Sequence, residues 1–231
     1  MTEYHEPSRR SPSPEADEQR EGFVMSDNGI GTDNGIGTTA VIGTGNIGGT
    51  LGRAFARAGH AVVFGSRNPG ASDAAGDTGA KVATVAEAVA AADTVVLAIP
   101  AGDVEAFLRT HAEALAGKLI VDAANRFPQP VLHSADLVRA LAPEARYARA
   151  FNNQTWETYA DPLWDGKPGN LFYTVFEQSD APTVEALISA VGHVPTFVGL
   201  GRPDLLDAAI FLLLPSFGTL GRRTGIRIVH D

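Results

Sequence analysis

The chain has 231 residues, 44% of them hydrophobic, which suffices for one large domain or a main domain with a small appendage. A net charge of −9 argues against a nucleic-acid-binding surface, and the lack of cysteine excludes disulfides, thiolate catalysis and a cysteine metal site. No apolar run approaches the ~18 residues of a membrane span. We therefore expect a cytoplasmic enzyme with neither a nucleic-acid nor a membrane partner.

Residues 1–38 are predicted to be a disordered tail or linker, because proline, serine and charged residues leave almost nothing apolar to bury. The N-terminus also lacks the basic-then-apolar layout of a signal peptide. The hexapeptide at 27–32 is repeated letter for letter at 33–38, and two copies indicate a duplicated linker rather than a calcium-binding solenoid. Met25 precedes the repeat, so we hypothesise that translation begins there rather than at Met1.

A dinucleotide fingerprint follows the tail. The apolar residues 40–42 predict a buried strand, which runs directly into GxGxxG spacing at Gly43, Thr44, Gly45, Asn46, Ile47 and Gly48. The first glycine permits a tight turn, the second lets the backbone approach a pyrophosphate, and the third lets the helix pack on the strand. Apolar residues at helical spacing predict that helix over 47–58, with its first N–H groups facing the phosphates.

The residues after the next strand, predicted at 61–64, indicate which dinucleotide binds. NAD enzymes usually carry Asp or Glu roughly 20 residues after the fingerprint, but this chain has Ser66 and Arg67. A carboxylate would repel a 2′-phosphate, whereas a hydroxyl and a guanidinium bind one. Ser66 and Arg67, together with Thr44, therefore predict NADP(H). The alternative is a surface arginine that holds no ligand.

Strands and helices continue to alternate along the chain. Further strands are predicted at 81–83, 94–100, 119–125, 146–151, 171–176 and 195–198. Further helices are predicted at 85–92, 103–115, 135–141, 182–191 and 203–214, with a long loop at 154–170 and a kink or end at Pro215. This alternation predicts an α/β fold, a doubly wound and mostly parallel sheet of the Rossmann type with a small C-terminal helical element.

We divide the chain into the tail, an NADP-binding domain over 39–152, and a part over 153–231 that completes the fold and the acceptor cleft. The apolar segment 203–214 must be buried, either on its own domain or against a second copy of the chain. A homodimer is therefore expected.

Ligands of open parallel sheets bind beyond the carboxyl ends of the strands, so residues at those positions are candidates for the site. Ile99, Pro100 and Ala101 would present a small apolar edge to the nicotinamide or its ribose. Asn125 and Asn152 are the candidate catalytic residues, which would hydrogen-bond the carboxamide or the substrate unless they are ordinary turn residues. The six histidines show no ligand pairing, so no metal site is predicted.

No acid catalyst is conspicuous. The only lysines are Lys81, Lys118 and Lys167, and none lies in an apolar helix from which it could reach a carbonyl over the nicotinamide. This argues against a hydroxy-acid dehydrogenase mechanism of that type. Hydride transfer between two redox cofactors needs no acid, because the cofactors supply the chemistry and the protein supplies orientation.

Four segments resemble the NADPH-dependent reductases of the deazaflavin coenzyme F-420: residues 42–48, 65–67, 98–100 and 150–152. The resemblance covers about residues 39–229, and 201–209 is similar to the family's small C-terminal element. It implies NADP in the first half and a deazaflavin between the sheet and the C-terminal helices, with direct hydride exchange between stacked rings. It also implies that Thr44, Ser66 and Arg67 hold the 2′-phosphate.

The chain departs from this family at Asn68-Pro69-Gly70, where a further basic residue often follows the Ser-Arg pair. Weaker affinity for the 2′-phosphate is therefore expected. Relatives with the same motifs reduce small imines, flavins or metal ions, so reduction of a small imine or carbonyl compound is a second enzymatic hypothesis. A non-catalytic NADP-sensing protein is the alternative of another class.

Overall fold

The computed structural model describes residues 35–229. These belong to the second of two units into which the chain divides, Gly31–Asp231, while the first, Met1–Ile30, lies outside the described residues. The hypothesis about Met25, the first hexapeptide and most of the predicted tail also fall outside the described residues.

The described residues form ten strands and seven helices. The strands are β1 (Thr39–Ile42), β2 (Val62–Ser66), β3 (Lys81–Thr84), β4 (Thr94–Leu97), β5 (Leu119–Asp122), β6 (Arg146–Arg149), β7 (Leu163–Trp164), β8 (Lys167–Pro168), β9 (Asn170–Val175) and β10 (Val194–Phe197). The helices are α1 (Asn46–Arg57), α2 (Val85–Ala91), α3 (Ala101–His111), α4 (Ala135–Leu141), α5 (Trp156–Ala160), α6 (Ala181–Ala190) and α7 (Pro203–Thr219).

Eight strands form one sheet in the order β10-β9-β6-β5-β4-β1-β2-β3. The six strands from β6 to β3 are parallel, whereas β9 pairs antiparallel with β6 and carries β10 parallel to itself. This architecture confirms the predicted α/β fold with a mostly parallel sheet and a C-terminal helix.

The inner strands are short apolar runs because both of their faces are buried. In β1, Val41 belongs to one hydrophobic cluster, while Ala40 and Ile42 belong to another on the opposite face. Helix α2 begins directly after β3 with a capping box, in which Thr84 and Glu87 satisfy each other's backbone N–H groups. Helices on both faces thus fix the sheet between two cores.

The chain reverses its direction of travel across the sheet between β1 and β4. From β1 it proceeds outward through β2 to β3, and it then returns to β4 and proceeds the other way through β5 to β6. The N–H of Ala98 donates to the carbonyl of Ile42 at 2.9 Å, which holds the carboxyl ends of β1 and β4 side by side. A crevice at such a reversal is where open α/β sheets bind ligands.

Two regions differ from the sequence-based expectation. The predicted loop 154–170 contains α5 and the β7–β8 hairpin. Helix α7 does not end at Pro215 but continues to Thr219. Proline removes one backbone donor, and the carbonyl that loses it belongs to the exposed Phe211, where water can replace the missing bond. No helix among residues 35–229 has both the length and the apolarity needed to cross a membrane.

Candidate functional site

The loop between β1 and α1 requires glycine at two positions. Gly43 has a φ of 108°, and a Cβ there would lie 2.4 Å from the carbonyl oxygen of Ala98. A Cβ at Gly48 would lie 2.0 Å from the carbonyl oxygen of Gly43, so α1 packs directly on the loop. The glycines thus bring the start of the helix to the carboxyl ends of β1 and β4.

The first turn of α1 offers backbone donors to a ligand. Gly45 precedes the helix and provides no side-chain cap, and the first N–H groups of a helix have no partner within it. A Cβ at Gly45 would meet nothing within 4 Å, so the space before the helix is open. The partial positive charge at a helix N-terminus together with open N–H groups suits a phosphate or pyrophosphate.

A cavity of about 960 Å³ opens at this loop. Nine of the predicted cofactor-binding residues line it: Gly43, Thr44, Gly45, Asn46, Ile47, Ser66, Arg67, Ile99 and Pro100. They come from the ends of three strands that are distant in sequence but adjacent in the sheet. The structure therefore brings together the fingerprint, the Ser-Arg pair and the apolar edge after β4.

Four predicted residues do not line this cavity. Gly48 is buried against the loop, and Ala101 is the first residue of α3. Asn125 and Asn152 lie further along the sheet, where the side-chain amide of Asn125 donates to the carbonyl oxygen of Asn152 at 2.7 Å. These two asparagines are thus brought together with each other rather than with the fingerprint.

One wall of the cavity was not predicted from the sequence. Six of its lining residues come from α2 and α3: Val85, Asp103, Ala106, Phe107, Thr110 and His111. Burial lowers the pKa of His111, so its ring is neutral near pH 7 and lies beside the ring of Phe107 at 5.0 Å between centroids. Three of these six residues are apolar, and the other three are Asp103, Thr110 and His111. The sequence could have indicated this wall, because α3 directly follows β4, and β4 pairs with β1 where the strand order of the sheet reverses.

Ser66 and Arg67 occupy the carboxyl end of β2 in different ways. Ser66 is buried, and its Oγ accepts the N–H of Asn68 at 3.1 Å, which leaves its hydroxyl proton available to a ligand. The side chain of Arg67 is 87% exposed and lies 3.8 Å from a carboxylate oxygen of Asp103. An exposed ion pair of this kind is weak, so the guanidinium is free to turn towards a phosphate.

A second cavity of about 510 Å³ adjoins the first. Five residues line both cavities: Thr44, Gly45, Asn46, Ser66 and Asn68. The second cavity is also lined by Thr50, Arg53, Ala71, Ser72, Asp73, Ala74 and Trp156. Its lining is more polar than that of the first cavity.

Two asparagines beyond β6 are buried and incompletely bonded. Asn152 donates to the carbonyl oxygen of Leu206 at 3.3 Å, but its Oδ1 has no partner among the described residues. Asn153 is 1% exposed, and neither polar atom of its side chain has a partner among residues 35–229. The segment also contains Phe151 at a φ of 61°, which is uncommon for a residue with a side chain.

A buried ionic cluster holds α7 against the ends of β5 and β6. Arg149 is fully buried and donates to Asp122 at 3.1 Å, to Asp207 at 2.8 Å and to Asn125 at 2.9 Å. Desolvation, followed by the charge of Asp122, raises the pKa of Tyr147, whose hydroxyl donates to that carboxylate at 2.8 Å. Because Arg149 reaches Asn125 as well as α7, the cluster connects the C-terminal helix to a predicted site residue.

The chemistry available in the larger cavity is limited. Apart from Arg67, its titratable lining residues are Asp103 and His111. Within residues 35–229, no group of three or more His, Cys, Asp or Glu side chains is arranged to hold a metal ion. The arrangement is therefore suited to binding and orienting an anionic ligand.

Residues 38–126 match a family model described as NADP oxidoreductase, coenzyme F420-dependent. This match confirms the predicted resemblance, and with it the predictions of an NADP-dependent oxidoreductase and of NADP(H) as its cofactor. The matched residues run from the start of β1 to just beyond β5, and thus include the fingerprint and the Ser-Arg pair.

Solved structures share the fold. A protein from Arthrobacter sp. FB24, assigned as an F420-dependent NADP reductase, is 24% identical with a TM-score of 0.71, over 83% of this chain and 99% of that one. A hypothetical protein from Sinorhizobium meliloti is 25% identical with a TM-score of 0.64, over 85% and 97%. An imine reductase from Streptomyces aurantiacus is 21% identical with a TM-score of 0.63, over 78% of this chain but 62% of that protein.

Proposed function

We propose that this chain, whose residues 38–126 match the F420-dependent NADP oxidoreductases, transfers hydride between NADPH and a deazaflavin coenzyme of the F-420 type. The observation that carries the proposal is the single cavity that joins Ser66 and Arg67, the N-terminus of α1 and Ile99-Pro100. Its volume of about 960 Å³ suits an extended ligand.

Each part of NADPH has candidate partners among the lining residues. The N–H groups at the start of α1 would bind the pyrophosphate, while Thr44, Ser66 and Arg67 would bind the 2′-phosphate. The wall from α2 and α3, with Val85, Ala106 and Phe107, would receive the adenine. Ile99 and Pro100, with Ala101 next to them, would lie beside the nicotinamide or its ribose.

The reduced nicotinamide supplies the hydride when it is bound. The role of the chain is to fix the geometry of the two reacting rings and to exclude water, since transfer between two redox cofactors needs no protein acid. Asn125 is suited to a positioning role because both polar atoms of its side chain are engaged, one by Arg149 and the other by Asn152. The acceptor cleft would lie between these residues and α7.

A spectroscopic assay tests this function. The full chain is mixed with NADPH and oxidised deazaflavin, and loss of the oxidised deazaflavin absorption band is the expected result. NADH replaces NADPH in the matched control, and bleaching should then be much slower. No change in the band with either nucleotide would contradict the proposed acceptor.

The same assay separates the other hypotheses. Oxidation of NADPH by a small imine or carbonyl compound, without bleaching of deazaflavin, would support the second enzymatic reading. The imine reductase neighbour shares the fold, but this chain spans only 62% of that protein. Tight NADPH binding without turnover by any acceptor would support the NADP-sensing alternative.

A homodimer through α7 is part of the proposal. Four residues of this helix leave apolar side chains exposed: Leu205, Phe211, Leu212 and Leu214. Leu212 is the most exposed of them at 74%, and exposed apolar side chains on one helix favour association. Light scattering should give the mass of two chains, and Leu212→Lys should shift it towards one. A monomer at all concentrations would contradict the dimer.

The division into 39–152 and 153–231 stays a prediction, as does the cytoplasmic location. Under the proposed function, β9, β10 and α7 belong to the part that completes the acceptor cleft.

A further inference from the structure

Arg53 lies on α1 beyond the GxGxxG fingerprint, and it lines the smaller cavity. It lies on the same side of α1 as Asn46 and Thr50, because positions 46, 50 and 53 follow the helical repeat. All three residues line the smaller cavity. This side of the helix therefore extends the phosphate-binding start of α1 by two turns.

The guanidinium of Arg53 is held in place without an ion pair among residues 35–229, although its charge contributes, after that of Arg57, to the lowered pKa of Asp77. Its Nη1 donates to the carbonyl oxygen of Ala74 at 3.1 Å, and the residue is half-buried. No ion pair with a described carboxylate involves Arg53, whereas Arg57, one turn further along, pairs with Asp77 at 2.7 Å. Asp73, which is exposed, also lines the cavity.

The two arginines line the two cavities that share Thr44, Gly45, Asn46, Ser66 and Asn68. Arg67 lines the larger cavity and Arg53 lines the smaller one, while Thr44 and Ser66 line both. A phosphate held by the two hydroxyls would therefore adjoin both cavities, one lined by each guanidinium group. Guanidinium groups bind phosphate oxygens strongly because their N–H donors match the geometry of the anion.

We propose that Arg53 determines the specificity for NADP by binding the 2′-phosphate from the smaller cavity, while Arg67 binds it from the larger one. This inference rests on the proposed function, because it assumes that the nucleotide lies along the larger cavity. Arg53 supplies from α1 the second cation that the segment after Arg67 lacks at Asn68-Pro69-Gly70. If Arg53 binds the 2′-phosphate, the lack of a basic residue at 68–70 no longer predicts weaker affinity for that phosphate.

The test compares ligands that differ only in the 2′-phosphate. Calorimetry measures the Kd of 2′,5′-ADP and of 5′-AMP, which lack the nicotinamide, and then of NADPH and NADH. Arg53→Gln removes the charge and the bond from Nη1 to the carbonyl of Ala74 but keeps a polar side chain with similar helix propensity. It should weaken 2′,5′-ADP and NADPH at least about tenfold, as expected for a lost hydrogen bond to a charged group, and leave 5′-AMP and NADH unchanged.

Two further variants distinguish an effect of charge on 2′-phosphate binding from a general effect on folding. Arg57→Gln, on the same helix but in neither cavity, should leave all four Kd values unchanged. Ser72→Asp keeps an oxygen that can accept the N–H of Ala74 but places a carboxylate in the smaller cavity. It should also weaken the 2′-phosphorylated ligands selectively, without any change at Arg53.

Trp156 provides a readout that is independent of affinity and turnover, because it lines the smaller cavity. Saturating 2′,5′-ADP should change the tryptophan fluorescence, whereas saturating 5′-AMP should not. The change should persist in Trp164→Phe and vanish in Trp156→Phe.

Unchanged NADPH affinity in Arg53→Gln, with weaker affinity in Arg67→Ala, would overturn the role of Arg53 and leave the proposed function intact. Equal weakening of NADPH and NADH would also overturn it, since the residue would then affect nucleotide binding or folding in general. No binding of either dinucleotide to the unaltered chain would reject the proposed function itself.

Discussion

Two regions at the carboxyl ends of parallel strands are built in opposite ways. The fingerprint edge comprises residues 43–48 with Ser66 and Arg67, and the Arg149 cluster comprises Asp122, Arg149 and Asp207. The edge consists of backbone groups and of side chains from two short segments, and it stays open: Arg67 is 87% exposed. The cluster joins Asp122, Arg149 and Asp207 across more than 80 residues of chain, and all three are buried. One region keeps its donors free, while the other pairs its charges internally.

This difference separates binding from stability. Donors left open at the fingerprint edge contribute little to folding and are available to a ligand. The charges of the cluster cannot be left unpaired in the interior without a large cost. We therefore expect substitutions at the edge to change nucleotide affinity and substitutions in the cluster to change the free energy of unfolding.

Arg149→Met should have the largest effect. It leaves Asp122 and Asp207 buried without their cation, and breaking a buried ion pair typically costs about 3–5 kcal/mol. Urea unfolding measures the loss. Arg139→Gln, which breaks only the exposed pair with Asp136, is the control and should unfold like the unaltered chain. A variant at Arg149 with normal stability would show that the cluster does not hold α7.

Arg67→Ala should come next and act on affinity alone. Loss of a charged hydrogen bond to the 2′-phosphate should raise the Kd of NADPH roughly 10- to 100-fold, with little change for NADH. The melting temperature should not move, because the side chain is mostly exposed. Arg109→Ala, on α3 but outside the cavity, is the matched control. An unaltered preference for NADPH would mean that the phosphate site lies elsewhere.

Two glycines of the fingerprint separate effects on stability from effects on NADPH binding. Gly48→Ala would place a Cβ 2.0 Å from the carbonyl oxygen of Gly43, and such overpacking costs about 1–3 kcal/mol of stability. A Cβ at Gly45 meets nothing within 4 Å, so Gly45→Ala should unfold normally but bind NADPH weakly. Thermal unfolding and calorimetry on both variants measure the two quantities. Normal NADPH binding by Gly45→Ala would show that the pyrophosphate does not bind at this position.

The smallest expected effect concerns pH. Burial lowers the pKa of His193 below its usual 6.5, so the unfolded chain takes up a proton that the folded chain resists. Stability from this group is present above pH 6.5 and is lost as the pH falls towards the lowered pKa. His193→Gln should therefore flatten the fall in melting temperature between pH 7 and 5. His111→Gln, at the partly open cavity, should flatten it less, and the reverse order would contradict the comparison.

Much of the fold and of the fingerprint edge could be predicted because the signals are local. Short apolar strands and helical spacing indicated the α/β alternation, and the mostly parallel sheet confirms it. Helix α5 was missed because it has only five residues and lies between turns. The extension of α7 past Pro215 was missed because a helix continues past proline only where the carbonyl four residues earlier, here that of Phe211, can bond to water instead.

The sequence by itself determined the glycine loop and the Ser66-Arg67 pair, because each acts through its own backbone conformation or its position after a strand. Only the tertiary structure decided that α2 and α3 form the other wall of the cavity, that Arg53 and Thr44 line the same smaller cavity, and that Asn125 is held by Arg149. Side chains far apart along the chain meet only after the helices pack on the sheet. No local pattern specifies which of them will be neighbours.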